Sequence, residues 1–102
     1  MATFISVVPQ LRTIRGQDRF TYQAGFPVQV GELVRIPWRR QIKTGLVVEV
    51  NVNPHPRAKA IVERTGVVLP QRYVNFLHWL ATQYQVSEPA ALLAALPDDV
   101  RH

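Results

Sequence analysis

Trp38, Arg39, Arg40 and Lys43 place an indole and three cations within six residues. Rings beside cations on a β-scaffold suit a polyanion that carries flat bases, which describes nucleic acid. The same residues also suit an ordinary solvated hairpin, because basic runs are often plain surface. Other chemistry lacks its residues. The sequence contains no Gly-rich phosphate loop of the P-loop or dinucleotide type. Its seven carboxylates are scattered, and only Asp98 and Asp99 are adjacent. No Ser or Thr is grouped by motif with a His and an acid, and the three His show no metal-ligand spacing. His55 reads as exposed, and His78 is given no chemistry. A binding module is expected rather than an enzyme, with no cofactor and no metal.

The elements that must position these residues can be read from periodicity. Residues 33–38 and 45–50 are β-rich runs joined by the polar connection that holds Arg39, Arg40 and Lys43. Alternation puts Arg35 on one face of the first run, with Val34 and Ile36 on the other. Upstream, residues 4–8 form a β-branched strand stopped by Pro9, followed by a polar, cationic connection over residues 10–18. Residues 19–23 alternate Phe20 and Tyr22 against Arg19, Thr21 and Gln23, as a short strand does. Phe20 reads as core, and Tyr22 fits either side. Downstream of a loop made by Pro54 and Pro56, residues 59–63 are another short strand. A turn-prone break at residues 64–66 then separates them from 67–69.

Pro70 suits a first helical position, and Tyr73, Phe76, Leu77, Leu80 and Tyr84 recur at helical steps over residues 70–83. Trp79 lies at the margin of that apolar face, and the aromatic residues are expected in the core. Ser87 caps a second, short helix over residues 88–95, whose buried side is Leu92, Leu93 and Leu96. The expected fold is α+β: a small, mostly antiparallel curled β-sheet or barrel, then one longer and one short C-terminal helix. Residues 1–97 read as a single nucleic-acid-binding domain, and 98–102 as a tail or the start of a linker.

Composition agrees with a folded domain. The 102 residues are 47% hydrophobic, enough for a core. The net charge is +5, and it is unevenly placed. Residues 1–64 hold ten Lys or Arg against four acids, whereas residues 65–102 hold two against three. Ten of the twelve cations are Arg, whose planar fork matches phosphate and base edges. Absence of cysteine excludes disulfides and thiolate metal sites. No signal peptide, apolar span or basic amphipathic helix is evident, so a cytoplasmic monomer that does not engage membranes is expected.

With the elements in order, the chain resembles the N-terminal 3′ DNA-binding domain of the replication-restart helicase PriA (primosomal protein N′). Phe20-Thr21-Tyr22 stands where that family has Phe-Asp-Tyr, and Gly31, Val34, Ile36, Pro37 and Trp38 match a Gly-x-x-Val-x-Val-Pro-Phe run. Gly45-Leu46-Val47-Val48 matches Gly-x-Val-Val, and Ala58-Lys59-Ala60-Ile61 matches Leu-Lys-Pro-Ile. Gln83-Tyr84 and Ala95-Leu96-Pro97 match its Tyr-Tyr and Ala-Leu-Pro close.

The resemblance implies binding of the 3′ end of the nascent leading strand at a fork, through a pocket carried over to Phe20, Thr21, Gly45 and Lys59. Gly would let a terminal nucleotide approach the backbone, Lys would meet phosphate, and the ring would stack or wall the pocket. These residues are expected around one notch, with strand and phosphate contacts from Arg35, Trp38, Arg39, Arg40 and Lys43. Thr21 departs from the family Asp, and Arg39 stands where the family has Gly. Weaker selectivity for a free 3′ hydroxyl, and more generic phosphate binding, are therefore expected. Other replication-restart proteins are possible partners, and any ATPase would lie outside this chain. The alternative is a protein–protein interaction module whose basic face meets an acidic partner, and RNA is not distinguished from DNA.

Overall fold

The structure, a computed structural model, describes residues 3–10 and 19–95. Residues 11–18 of the cationic connection expected over 10–18, Leu96, Pro97 and the tail 98–102 lie outside the described residues. The elements are β1 (Thr3–Pro9), β2 (Phe20–Ala24), β3 (Glu32–Trp38), β4 (Gln41–Val50), β5 (Lys59–Ala60), β6 (Glu63–Val68), α1 (Gln71–Tyr84) and α2 (Glu88–Ala95). The fold is α+β: a curled six-stranded mixed sheet in the order β5-β2-β1-β4-β3-β6, followed by two helices. Every pairing is antiparallel except that of β5 with β2.

Strand alternation gives the sheet two apolar faces. The inner face gathers Ile5, Val7, Tyr22, Val34, Ile36, Val47 and Ile61. The outer face carries Val8, Leu33 and Leu46, covered by Leu77 of α1 and Leu92 of α2. Between Ser6 and Val7 the β1–β4 register shifts, since Ser6 faces Glu49 but Val7 faces Val47. The extra residue, Val48, turns to the outer cluster and lets Val47 and Val50 both face inward.

The chain from Lys59 to Val68 curls the sheet towards closure. It pairs first with β2, opposite Tyr22 and Gln23. Ile61 then donates to the Gln23 carbonyl at 2.9 Å and Val62 to the Arg35 carbonyl at 2.7 Å, after which β6 pairs with β3. The single short strand expected over 59–63 is thus a crossing from one sheet edge to the other. The break expected at 64–66 is absent, because β6 runs through it. Gly66 adopts φ 85° in an irregular register, and Thr65 Oγ1 holds the Leu33 carbonyl at 2.8 Å, so the strand bulges instead of ending.

Pro70 precedes α1 in an extended conformation, one position earlier than expected. A left-handed Gln85 and a Val86 N–H donated to the Ala81 carbonyl end the helix as a Schellman motif. The aromatic residues of α1 divide, contrary to the expectation of core. Leu77 and Ala81 are buried and Tyr73 packs beside them, but Phe76 is 47% exposed, Trp79 53% and Tyr84 67%. The packed stripe is narrow, so the 76–79 step falls on the neighbouring face, where the two rings stack at 5.9 Å. Ser87 caps α2 as expected, its Oγ accepting from the Ala90 N–H at 3.2 Å. Among the described residues, no helix is long and apolar enough to cross a membrane.

Candidate nucleic-acid interface

The tip of the β3–β4 hairpin is tighter than its composition suggests. Trp38 faces Gln41 across the ladder, leaving only Arg39 and Arg40 in the turn. Their φ angles are 47° and 67°, the left-handed pair that a type I′ hairpin turn requires. Lys43, expected in the connection, instead belongs to β4 and pairs with Ile36. Arg39, where the resemblance places Gly, occupies a conformation that favours Gly.

Beneath this tip the curl of the sheet brings β2 against β3. The rings of Phe20 and Trp38 meet edge to face, 4.9 Å between centroids and 80° between planes. The Tyr22 hydroxyl donates to the Pro37 carbonyl at 3.1 Å. Tyr22 is only 5% exposed, and that burial pushes its phenol pKa up to about 12. The Arg39 guanidinium lies 5.8 Å from the Trp38 ring centroid, a cation–π arrangement. One mouth of the curl therefore presents two rings with a cation over one of them. Phe20 keeps part of its surface at this mouth while packing on the inner cluster.

The other sequence-derived residues divide around this mouth. Lys59 lies opposite Tyr22, about 7 Å along the strand direction from Phe20, and it is exposed. It precedes buried Ile61 by two residues, so alternation puts it on the same side as the inner cluster. Lys43 shares that side, two residues before Gly45. Gly45 is buried within β4, where a Cβ would overlap Val7 Cγ1 and come 3.3 Å from Ile36 Cδ1. The close approach that Gly45 permits is made by Val7. Thr21 alternates to the outer side, opposite Ser6. Arg35 is also on the outer side, opposite Thr44, and pairs with Glu63 at 3.4 Å. Phe20, Trp38, Arg39, Lys43 and Lys59 thus share one side, while Thr21 and Arg35 face the other.

Ion pairing sharpens the electrostatics. All four described carboxylates have cationic partners: Glu32 with Arg64, Glu49 with Arg19, Glu63 with Arg35, and Glu88 with Arg19 and His78. Burial would raise the Glu88 pKa, but the hydrogen bonds from Arg19 and His78 outweigh it and hold the carboxyl below its ordinary value. Arg19, bound to Glu88 at 2.9 Å and Glu49 at 3.1 Å, joins β4 and α2 from the residue before Phe20. No pairing with these carboxylates occupies Arg39, Arg40, Lys43, Arg57 or Lys59. Arg57 was not singled out by the sequence, where its only signal is its place two residues before Lys59.

A family model described as the 3′ DNA-binding domain (3′BD) of PriA matches residues 7–97. A search of curated proteins finds no match.

Proposed function

The chain belongs to the PriA 3′ DNA-binding domain family, and from that premise we propose that residues 1–97 hold the 3′ terminus of a leading strand at an abandoned replication fork. The module binds DNA and carries no catalysis of its own. In this reading it serves a cytoplasmic replication-restart helicase whose ATPase lies in other domains, with other restart proteins as its neighbours. It acts as a monomeric unit.

The observation that carries the reading is the Phe20–Trp38 pair at the mouth, with Arg39 over the indole. Edge-to-face rings leave faces against which a terminal base can stack, and base–aromatic stacking stabilises single strands by about 1–3 kcal/mol per base. Arg39, Arg40, Lys43 and Lys59 supply the phosphate contacts. Arg35 reaches phosphate only by leaving Glu63, so it contributes less. Gly45 acts indirectly, by letting Val7 and the β1–β2 pair close on the mouth. Thr21 contributes from the strand's other face through its hydroxyl.

Four phosphate contacts predict a log–log salt slope of about −3 on single strands. Lys59→Ala is expected to weaken binding across sequences and make the slope shallower by about 0.7, without unfolding the domain. Fluorescence anisotropy on forked DNA, with and without a leading-strand 3′ end at the junction, tests the assignment. Equal affinity for the two forks would refute it. Quenching of Trp38 by single-stranded DNA, absent with polyglutamate, separates nucleic acid from an acidic protein partner. Exposed Trp79 must first be replaced by Phe so that the signal reports Trp38 alone.

A further inference from the structure

We propose that the proline-flanked turn ahead of Lys59 is a second phosphate site, where Arg57 holds a backbone phosphodiester of the DNA strand upstream of its 3′ end. The inference rests on the end-binding reading and assigns the path by which the strand leaves the mouth.

The turn presents Arg57 on a fixed frame. Pro54 and Pro56 lock their own φ angles and bias Asn53 and His55 towards extended backbone. The Ala58 N–H donates to the His55 carbonyl at 3.1 Å, closing a β-turn with Pro56 and Arg57 at its corner. Pro56 takes the corner position that its ring favours. Within the turn the Arg57 N–H donates to His55 Nδ1 at 3.1 Å, so the backbone at Arg57 is tied as well. Gln23 Nε2 donates to the Ala58 carbonyl at 3.2 Å and fastens the turn to β2. Arg57 itself is exposed. A guanidinium on such a preformed turn loses less freedom on binding than one on a loose loop, and its planar fork fits a phosphate.

Placement and charge point to the strand as the ligand. β5 runs parallel to β2 with Lys59 opposite Tyr22, so the chain reaches Lys59 from the Phe20 end of that strand. The turn thus flanks the mouth along the β5 edge of the sheet. Residues 51–60 hold no acid, and no described carboxylate pairs with Arg57 or Arg72. Arg72 belongs to α1, which covers the outer side, whereas Arg57 continues the row that Lys59 begins. A nucleotide seated against Phe20 and Trp38 leaves one backbone to be carried away, and each phosphodiester along it bears a charge that a cation or a counterion must match. A fifth contact steepens the expected salt slope on single strands from about −3 to about −3.5.

The test uses the full chain with a linear single strand of DNA and its circularised form. Arg57→Gln is expected to weaken binding of the linear strand about fivefold and to make its salt slope shallower by about 0.7, with a native circular dichroism spectrum. Arg72→Gln removes the same charge from the other side of the molecule and should change little. A neutral methylphosphonate moved linkage by linkage from the 3′ end should cost the parent affinity at one linkage where it costs Arg57→Gln nothing. Unchanged binding by Arg57→Gln, an equal loss from Arg72→Gln, or the absence of any linkage that separates the two proteins overturns the inference. If the linear strand still outcompetes the circle, end recognition survives that failure. A circle that competes equally well refutes end recognition, and with it the placement of this contact upstream of an end.

Discussion

Gly45 has no side chain because Val7 occupies the room one would need. An added methyl would overlap Val7 Cγ1 and crowd Ile36 Cδ1, both fixed in the inner cluster. Valine cannot swing away cheaply, since its β-branch restricts it to few rotamers. Gly45→Ala is therefore expected to destabilise the domain by about 1–3 kcal/mol, measured by urea denaturation. The DNA affinity of the folded fraction should fall as well, because Val7 and the β1–β2 pair then close less tightly on the mouth. In the sequence, a glycine inside a strand signals a close approach, but not what approaches. The neighbour is on β1, far away along the chain, and periodicity carries no pairing information across that distance.

The hairpin and α1 show what is legible at the scale of an element. Alternation in residues 33–38 correctly separates Arg35 from Val34 and Ile36. The length of the turn was obscured, because Gln41, Ile42 and Lys43 look as much like a loop as a strand. Arg39 and Arg40 lack the Asn-Gly signature that would have fixed a two-residue turn. Replacing Arg39 by Asn and Arg40 by Gly is expected to raise stability by about 1 kcal/mol, read as a higher urea midpoint with an unchanged slope, because Asn and Gly adopt the left-handed region at little strain. In α1 the helical period identified the element but overstated the buried face. Phe76 and Trp79 are apolar by type and solvent-facing by position, since Tyr73, Val74 and Leu77 already pack on the cluster of Leu33 and Leu46.

Across the whole molecule, the main event is the meeting of sheet edges that are remote in sequence. The crossing strand Lys59–Val68 and the Tyr22–Pro37 hydrogen bond both join β2 to β3, and the Phe20–Trp38 pair lies at the same seam. Nothing in the local pattern announces this, because period 2 reports which way a side chain faces but not which strand it will meet. The class of fold was legible from element order; the seam required coordinates. Tyr22 makes the seam pH-sensitive. Its folded pKa, raised by burial to about 12, exceeds the ordinary phenol value of roughly 10. The neutral phenol's contribution is thus complete below about pH 10 and is lost as pH climbs through about 12. Alkaline denaturation followed by circular dichroism should show a loss of stability in that window, and Tyr22→Phe should remove it.

Arg19 carries a mechanical consequence beyond its two carboxylates. It is one peptide from Phe20, and its guanidinium is moored to Glu49 on β4 and Glu88 on α2. Phe20 cannot swing outward to meet a base without pulling on that mooring, so the backbone behind the ring is stiff before any strand arrives. A rigid backstop lowers the ordering entropy that binding at the proposed mouth would cost, and it couples the posture of the second helix to the Phe20–Trp38 pair.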